Sequence, residues 1–132
     1  MRRLLLPVMG LSILLTAGCQ GTNYFPEKKL IIEKDAPYYE TEFRGPKSDQ
    51  KVTVRAGSDS PFSVYLTLMD DKHEAIVALR SGKKPRKTLA GEETTKDATI
   101  EATVPAGRAF VVLLKAAEKG KEIEVKLDVQ GK

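Results

Sequence analysis

Apolar and polar residues alternate most cleanly near the end of the chain. From Glu122 to Val129, Ile123, Val125, Leu127 and Val129 take turns with Glu122, Glu124, Lys126 and Asp128. This is the period of two expected of a strand with one face buried and the other in water. Ala109 to Leu114 reads A-F-V-V-L-L, a short apolar run rich in β-formers, which predicts a strand covered on both faces or central in a sheet. The segment between them, "KAAEKGKE", offers Gly120 for a positive φ. The two strands are therefore expected to pair as an antiparallel hairpin, although "LLKAAEK" also suits a helical turn.

The same pattern recurs upstream. Ile100, Ala102 and Val104 alternate with Thr99, Glu101 and Thr103 and are closed by the turn Pro105-Ala106-Gly107, proline and glycine standing in suitable order for it. Phe62, Val64, Leu66 and Leu68 alternate with Ser63, Tyr65, Thr67 and Met69. After the polar stretch "DDKHE", the apolar run Ala75 to Leu79 is read as a further strand. Weaker strand patterns lie at Val52 and Val54, at Tyr39, Thr41 and Phe43, and at Leu30-Ile31-Ile32. No stretch sustains a 3.6-residue stripe. Several short strands separated by Gly, Pro, Asp and Ser predict an all-β domain, an antiparallel β-sandwich or jelly-roll-like fold, over residues 30–132.

The first residues follow a different logic. Met1-Arg2-Arg3 precedes the mainly apolar run Leu4 to Leu15, whose helix would reach about 18 Å, short of the ~30 Å hydrocarbon core. A positive start, a short apolar stretch and small residues at its end are the parts of a secretory signal peptide. Within "LLTAGCQG", Leu15-Thr16-Ala17-Gly18-Cys19 resembles the lipobox of bacterial lipoproteins. The resemblance implies a signal peptide at 1–18, cleavage before Cys19, and acyl chains on that residue. Each buried methylene adds ~0.8 kcal/mol, so several chains hold a protein at a bilayer where one short chain binds marginally. Residues 19–29 lack periodicity and carry Gly21, Thr22, Asn23 and Pro26, which predicts a lipidated flexible tether. Gln20, in place of aspartate after the cysteine, points to the outer membrane under the enterobacterial sorting pattern. The expected location is the cell envelope, and the expected partner is the lipid bilayer through acylated Cys19.

Cys19 is the single cysteine, so the domain has no intramolecular disulfide and is held by burial. Without Arg2 and Arg3 the chain has 20 basic against 18 acidic side chains. That near balance gives no reason to expect nucleic acid as a partner. Residues Val52 to Val129, and above all "ATVPAGRAFVVLLKAAEKGKEIEVKLDV", resemble the bacterial pre-peptidase C-terminal domain, a β-sandwich appended to exported enzymes. The resemblance supports a fold more than a function.

Catalytic chemistry finds little footing. His73 is the single histidine and lies in "MDDKHEA" with no G-x-S-x-G elbow in the chain, so it reads as a solvated loop residue. Asp70, Asp71, His73 and Glu74 lack calcium-loop spacing, and no N/S ligand set for zinc is present. No catalytic residue, metal or cofactor is expected. Tyr38 and Tyr65 are candidate glycan contacts by ring stacking. Arg80, Lys83, Lys84, Arg86 and Lys87 place five cations in eight positions, either a solvated turn or an anion-binding loop. The expectation is a membrane-anchored envelope lipoprotein with a non-catalytic sandwich for binding or assembly, its partner an envelope protein or glycan. The alternative is an accessory carbohydrate- or anion-binding module.

Overall fold

A computed structural model describes residues 21–132. The lipobox, with Cys19 and the signal peptide before it, lies outside the described residues. The strands are β1 (Thr22–Ile32), β2 (Tyr39–Phe43), β3 (Gln50–Leu68), β4 (Ala90–Val104), β5 (Phe110–Ala116) and β6 (Ile123–Gly131). One 3₁₀ turn, Met69–Asp71, leads into the helix α1, Lys72–Arg80. Among the described residues no helix is long and apolar enough to cross a membrane.

β3 organises the molecule. One of its edges pairs with β4 over most of its length. The other edge pairs first with β6, from Val52↔Gly131 to Ser58↔Val125, and then with β5, from Phe62↔Ala116 to Leu68↔Phe110. The register of β3 with β4 shifts between Gly57 and Phe62, and there the six-stranded antiparallel sheet curls over itself. One layer holds β1 and β6 with the first half of β3. The second holds β2 and β5 with its later half. The domain is thus the all-β, sandwich-like fold that the alternation predicts.

Between the layers lie the inward residues of every long strand. They include Val52, Val54, Phe62, Val64 and Leu66 of β3, Val112 and Leu114 of β5, and Val125, Leu127 and Val129 of β6. A buried side chain of this kind contributes roughly 1.5–3 kcal/mol, and this shared core is what keeps the two layers together.

Four expectations need correction. First, Ala75–Leu79 is helical. Ala75 and Leu79, four residues apart, are buried in contact with Tyr65, Val111 and Leu113, and Lys, Glu, Ala, Leu and Arg are good helix formers. An apolar run this short looks alike in either state. Second, β5 and β6 are no hairpin. They pair with successive segments of the same edge of β3, in different layers, and the connection through Gly120 (φ +74°) crosses between them. Third, the stretch read as a tether is already strand from Thr22. Register shifts between Asn23 and Lys28 hide its periodicity. Tyr24 packs edge-on against Phe110 at 5.0 Å and against Phe43 at 5.7 Å, with Phe25 beside Phe43. Fourth, His73 lies exposed on α1 and not in a loop.

The charges of "DDKHE" fasten the start of α1. Lys72 bridges Glu40 at 2.6 Å and also pairs with Glu42, both on β2, while Asp70 pairs with Arg108. The Lys72 ammonium holds the Glu42 carboxyl below its ordinary range, and the two carboxylates raise the pKa of Lys72.

Candidate anion-binding surface

The strands run between two poles. At one pole are the start of β1, the end of β6 and the aromatic group of Tyr24, Phe43 and Phe110. At the other are the end of β1, the end of β5 and the curl of β3. The helix α1 crosses the outside of β3 and β5 and ends at this second pole, where Leu79 lies over Lys115.

Past Arg80 the chain turns sharply. Ser81 N–H bonds to the Val77 and Ala78 carbonyls, Gly82 takes φ +73°, and Lys83 N–H donates to the Ala78 carbonyl at 2.8 Å. Pro85 is buried, and Leu89 N–H donates to the Leu66 carbonyl at 2.8 Å where the chain rejoins the sheet. The loop is therefore pinned at its beginning, middle and end, and all five predicted cations point into solvent.

They do not all do the same thing. Arg80 lies over the Tyr38 ring at 5.6 Å, with its guanidinium 3.5 Å from the hydroxyl. Lys84 reaches Glu93 and Lys87 reaches Glu74, each at 4.0 Å, and such exposed pairs contribute little. Among the described residues, Arg80, Lys83 and Arg86 have no carboxylate within ion-pair distance. Lys83, Lys84, Arg86 and Lys87 rim a groove of 410 Å³ whose floor includes Val77, 50% exposed. The loop is a raised, locally positive surface.

A second recess of 240 Å³ opens beside it, where Lys83 and Lys84 meet Ser63, Glu93, Thr94 and Lys115. Its wall is Tyr65, whose hydroxyl donates to Glu93 Oε2 at 2.6 Å. Burial and that bond push the phenol's pKa well above its ordinary value, so it stays a donor. The ring lies across Gly91, where any Cβ would come within 2.8 Å of it.

The structure does not unite the two predicted glycan contacts. Tyr65 is 3% exposed, which leaves no ring face for a sugar, and the ring of Tyr38 is covered by Arg80. Sequence reasoning missed Lys115, Ser63, Glu93 and Thr94, which come from three strands. The one signal was a lysine ending the apolar run "FVVLLK". Among the described residues no three His, Cys, Asp or Glu side chains gather as metal ligands.

Another opening, of 500 Å³, lies on the opposite outer face. It sets Lys29, Arg55 and Lys126 against Glu27, Asp59, Asp97, Glu124 and Asp128, so carboxylates prevail there.

Comparison with known proteins supplies the fold. The chain is similar to a periplasmic inhibitor of g-type lysozyme, PliG of Aeromonas hydrophila. The TM-score is 0.58 at 13% identity, over 86% of this chain and 87% of that one. Lower similarity is found to a CBM36 carbohydrate-binding module solved with calcium and xylotriose (TM-score 0.40, 13% identity, 83% and 96% covered). A CBM36 domain of a xylanase from the hindgut metagenome of Trinervitermes trinervoides gives TM-score 0.39 at 11% identity, with 85% and 87% covered. No protein-family model and no curated protein matches the sequence.

Proposed function

We propose that this chain is a non-catalytic binding domain of the bacterial cell envelope, anchored through acylated Cys19 and presenting the Arg80–Lys87 loop to an anionic partner. The observation that carries this reading is the pinned loop: its cations are exposed, and three of them, Arg80, Lys83 and Arg86, have no carboxylate partner among the described residues. A turn rich in lysine only for solubility has no need of a buried proline and three backbone anchors. The fold agrees with the reading, since a periplasmic inhibitor that binds another protein shares it. Of the two binding chemistries, anion recognition keeps its side chains exposed, whereas glycan stacking loses both tyrosine rings.

The poles add a direction. β1 starts three residues after Cys19, at the pole opposite the end of α1. A chain anchored at Cys19 therefore holds the basic loop away from the anchoring bilayer, toward whatever lies across from it.

Two measurements test the reading. Intact mass of the chain recovered from bacterial membranes should show acyl groups on residue 19, lost in Cys19→Ser; an unmodified amino terminus at another position rejects the anchor. Binding to acidic polysaccharide should fade with salt, because a mainly electrostatic contact is screened. Binding that ignores salt rejects the loop as the contact.

A further inference from the structure

We propose that the recess between the end of α1 and the curl of β3 is a site for a phosphate dianion, held by Lys83, Lys84 and Lys115. It rests on the reading of the loop as an anion-facing surface and names the group that surface takes.

Three features point there. The first is charge. Three ammonium groups, two from the loop and one from β5, line the recess against the single carboxylate of Glu93. That carboxylate is already engaged, by the Tyr65 hydroxyl at 2.6 Å on one oxygen and by Lys84 at 4.0 Å on the other. The remaining excess of two positive charges suits a dianion. Lys115 Nζ donates to the Leu79 carbonyl at 3.3 Å, which steadies it at the negative end of α1 and leaves further N–H donors for a ligand.

The second is the backbone. Thr94 is, among the described residues, the one non-glycine at positive φ, +50°. A strained conformation of this kind persists where its surroundings fix it, and such positions concentrate at ligand sites. Its N–H donates to Ser63 Oγ at 3.1 Å. The Ser63 hydroxyl thus lies at the mouth of the recess, held between the Thr94 N–H and the Tyr65 hydroxyl.

The third is size. At 240 Å³ the recess falls below the ~300–1,000 Å³ of sites that enclose a drug-sized ligand. It takes a charged group, with the remainder of the ligand outside, along the groove of Lys83, Lys84, Arg86 and Lys87.

The phosphate can be free or carried by a lipid headgroup, and the test separates these sources. The full chain in neutral micelles is titrated with inorganic phosphate and followed by amide chemical shifts. Separately, it is presented with phosphatidylcholine nanodiscs with and without phosphatidic acid. Shifts centred on Ser63, Thr94 and Lys115 are expected. Lys115→Gln should weaken binding about tenfold, the loss of one charge-assisted bond, and Lys115→Arg should retain it, with melting temperatures confirming that both fold. Response to inorganic phosphate assigns the free ion; response to phosphatidic acid alone assigns a headgroup. If Lys115→Gln binds like wild type while Arg86→Gln with Lys87→Gln abolishes binding, the recess is overturned and the loop reading survives. If none of these variants changes binding, both fall.

Discussion

The two layers of the sandwich have outer faces with opposite fates. Over β3 and β5 the outward residues Tyr65, Val111 and Leu113 are buried beneath Ala75 and Leu79 of α1. Over β6 and the first half of β3 no helix lies, and the outward residues Arg55, Glu124 and Lys126 meet water. The covered face has to be apolar twice over, inside and out, because both sides of each strand are removed from water. The bare face needs apolar residues only on its inner side. The difference teaches where this molecule is free to carry function. The bare face mixes both signs with an excess of carboxylates, whereas the covered face ends in a loop and a recess where positive charge prevails.

The largest expected effect comes from placing a charge on the covered face. Leu113→Asp should destabilise the domain by on the order of 4 kcal/mol, an unpaired carboxylate being trapped under α1. Denaturant unfolding measures it, and a loss as small as that of a surface substitution would mean that α1 does not seal this face. Val125→Asp, which points into the shared core, should be comparably severe.

A smaller effect is expected at the wall of the recess. Tyr65→Phe removes the bond to Glu93 and should cost about 1 kcal/mol. The phenol's pKa is raised by burial and by Glu93. Its stabilising effect is therefore fully present below the ordinary tyrosine pKa and lost as pH rises through the raised one. Melting curves on the alkaline side should fall less steeply for Tyr65→Phe than for wild type; parallel curves would disconnect Tyr65 from the alkaline transition. The smallest effect belongs to the bare face, where Glu124→Lys should stay within about 0.5 kcal/mol. A larger change there would reveal a partner for Glu124 and remove the contrast between the faces.

The contrast also explains what the sequence discloses. Alternation in Ile123–Val129 and continuity in Phe110–Leu114 are the direct marks of one bare and one covered face, so the strands and the sandwich are legible from them. What covers β5 is not, because Ala75–Leu79 is too short for its period to declare itself. Its helical state is fixed by packing on Tyr65, Val111 and Leu113 and by Lys72 bridging to β2. The first part of β1, before Leu30, escapes notice because its irregular register breaks the period of two. The basic loop can be found by counting charges along the chain. The recess cannot, since Ser63, Thr94 and Lys115 converge only when β3 curls and the final layer order is set.

The most direct test compares two variants of equal net charge, one on each face, for association with anionic vesicles or acidic polysaccharide. Lys83→Gln, Lys84→Gln and Lys87→Gln change the loop. Lys29→Gln, Arg55→Gln and Lys126→Gln change the bare face. At roughly 1 kcal/mol per cation near an anionic surface, the loop variant should bind on the order of a hundredfold more weakly, with its melting temperature kept, while the bare-face variant binds as wild type does. Equal losses in both would show that net charge alone drives association, and a greater loss in the bare-face variant would place the binding surface on the wrong side of the molecule.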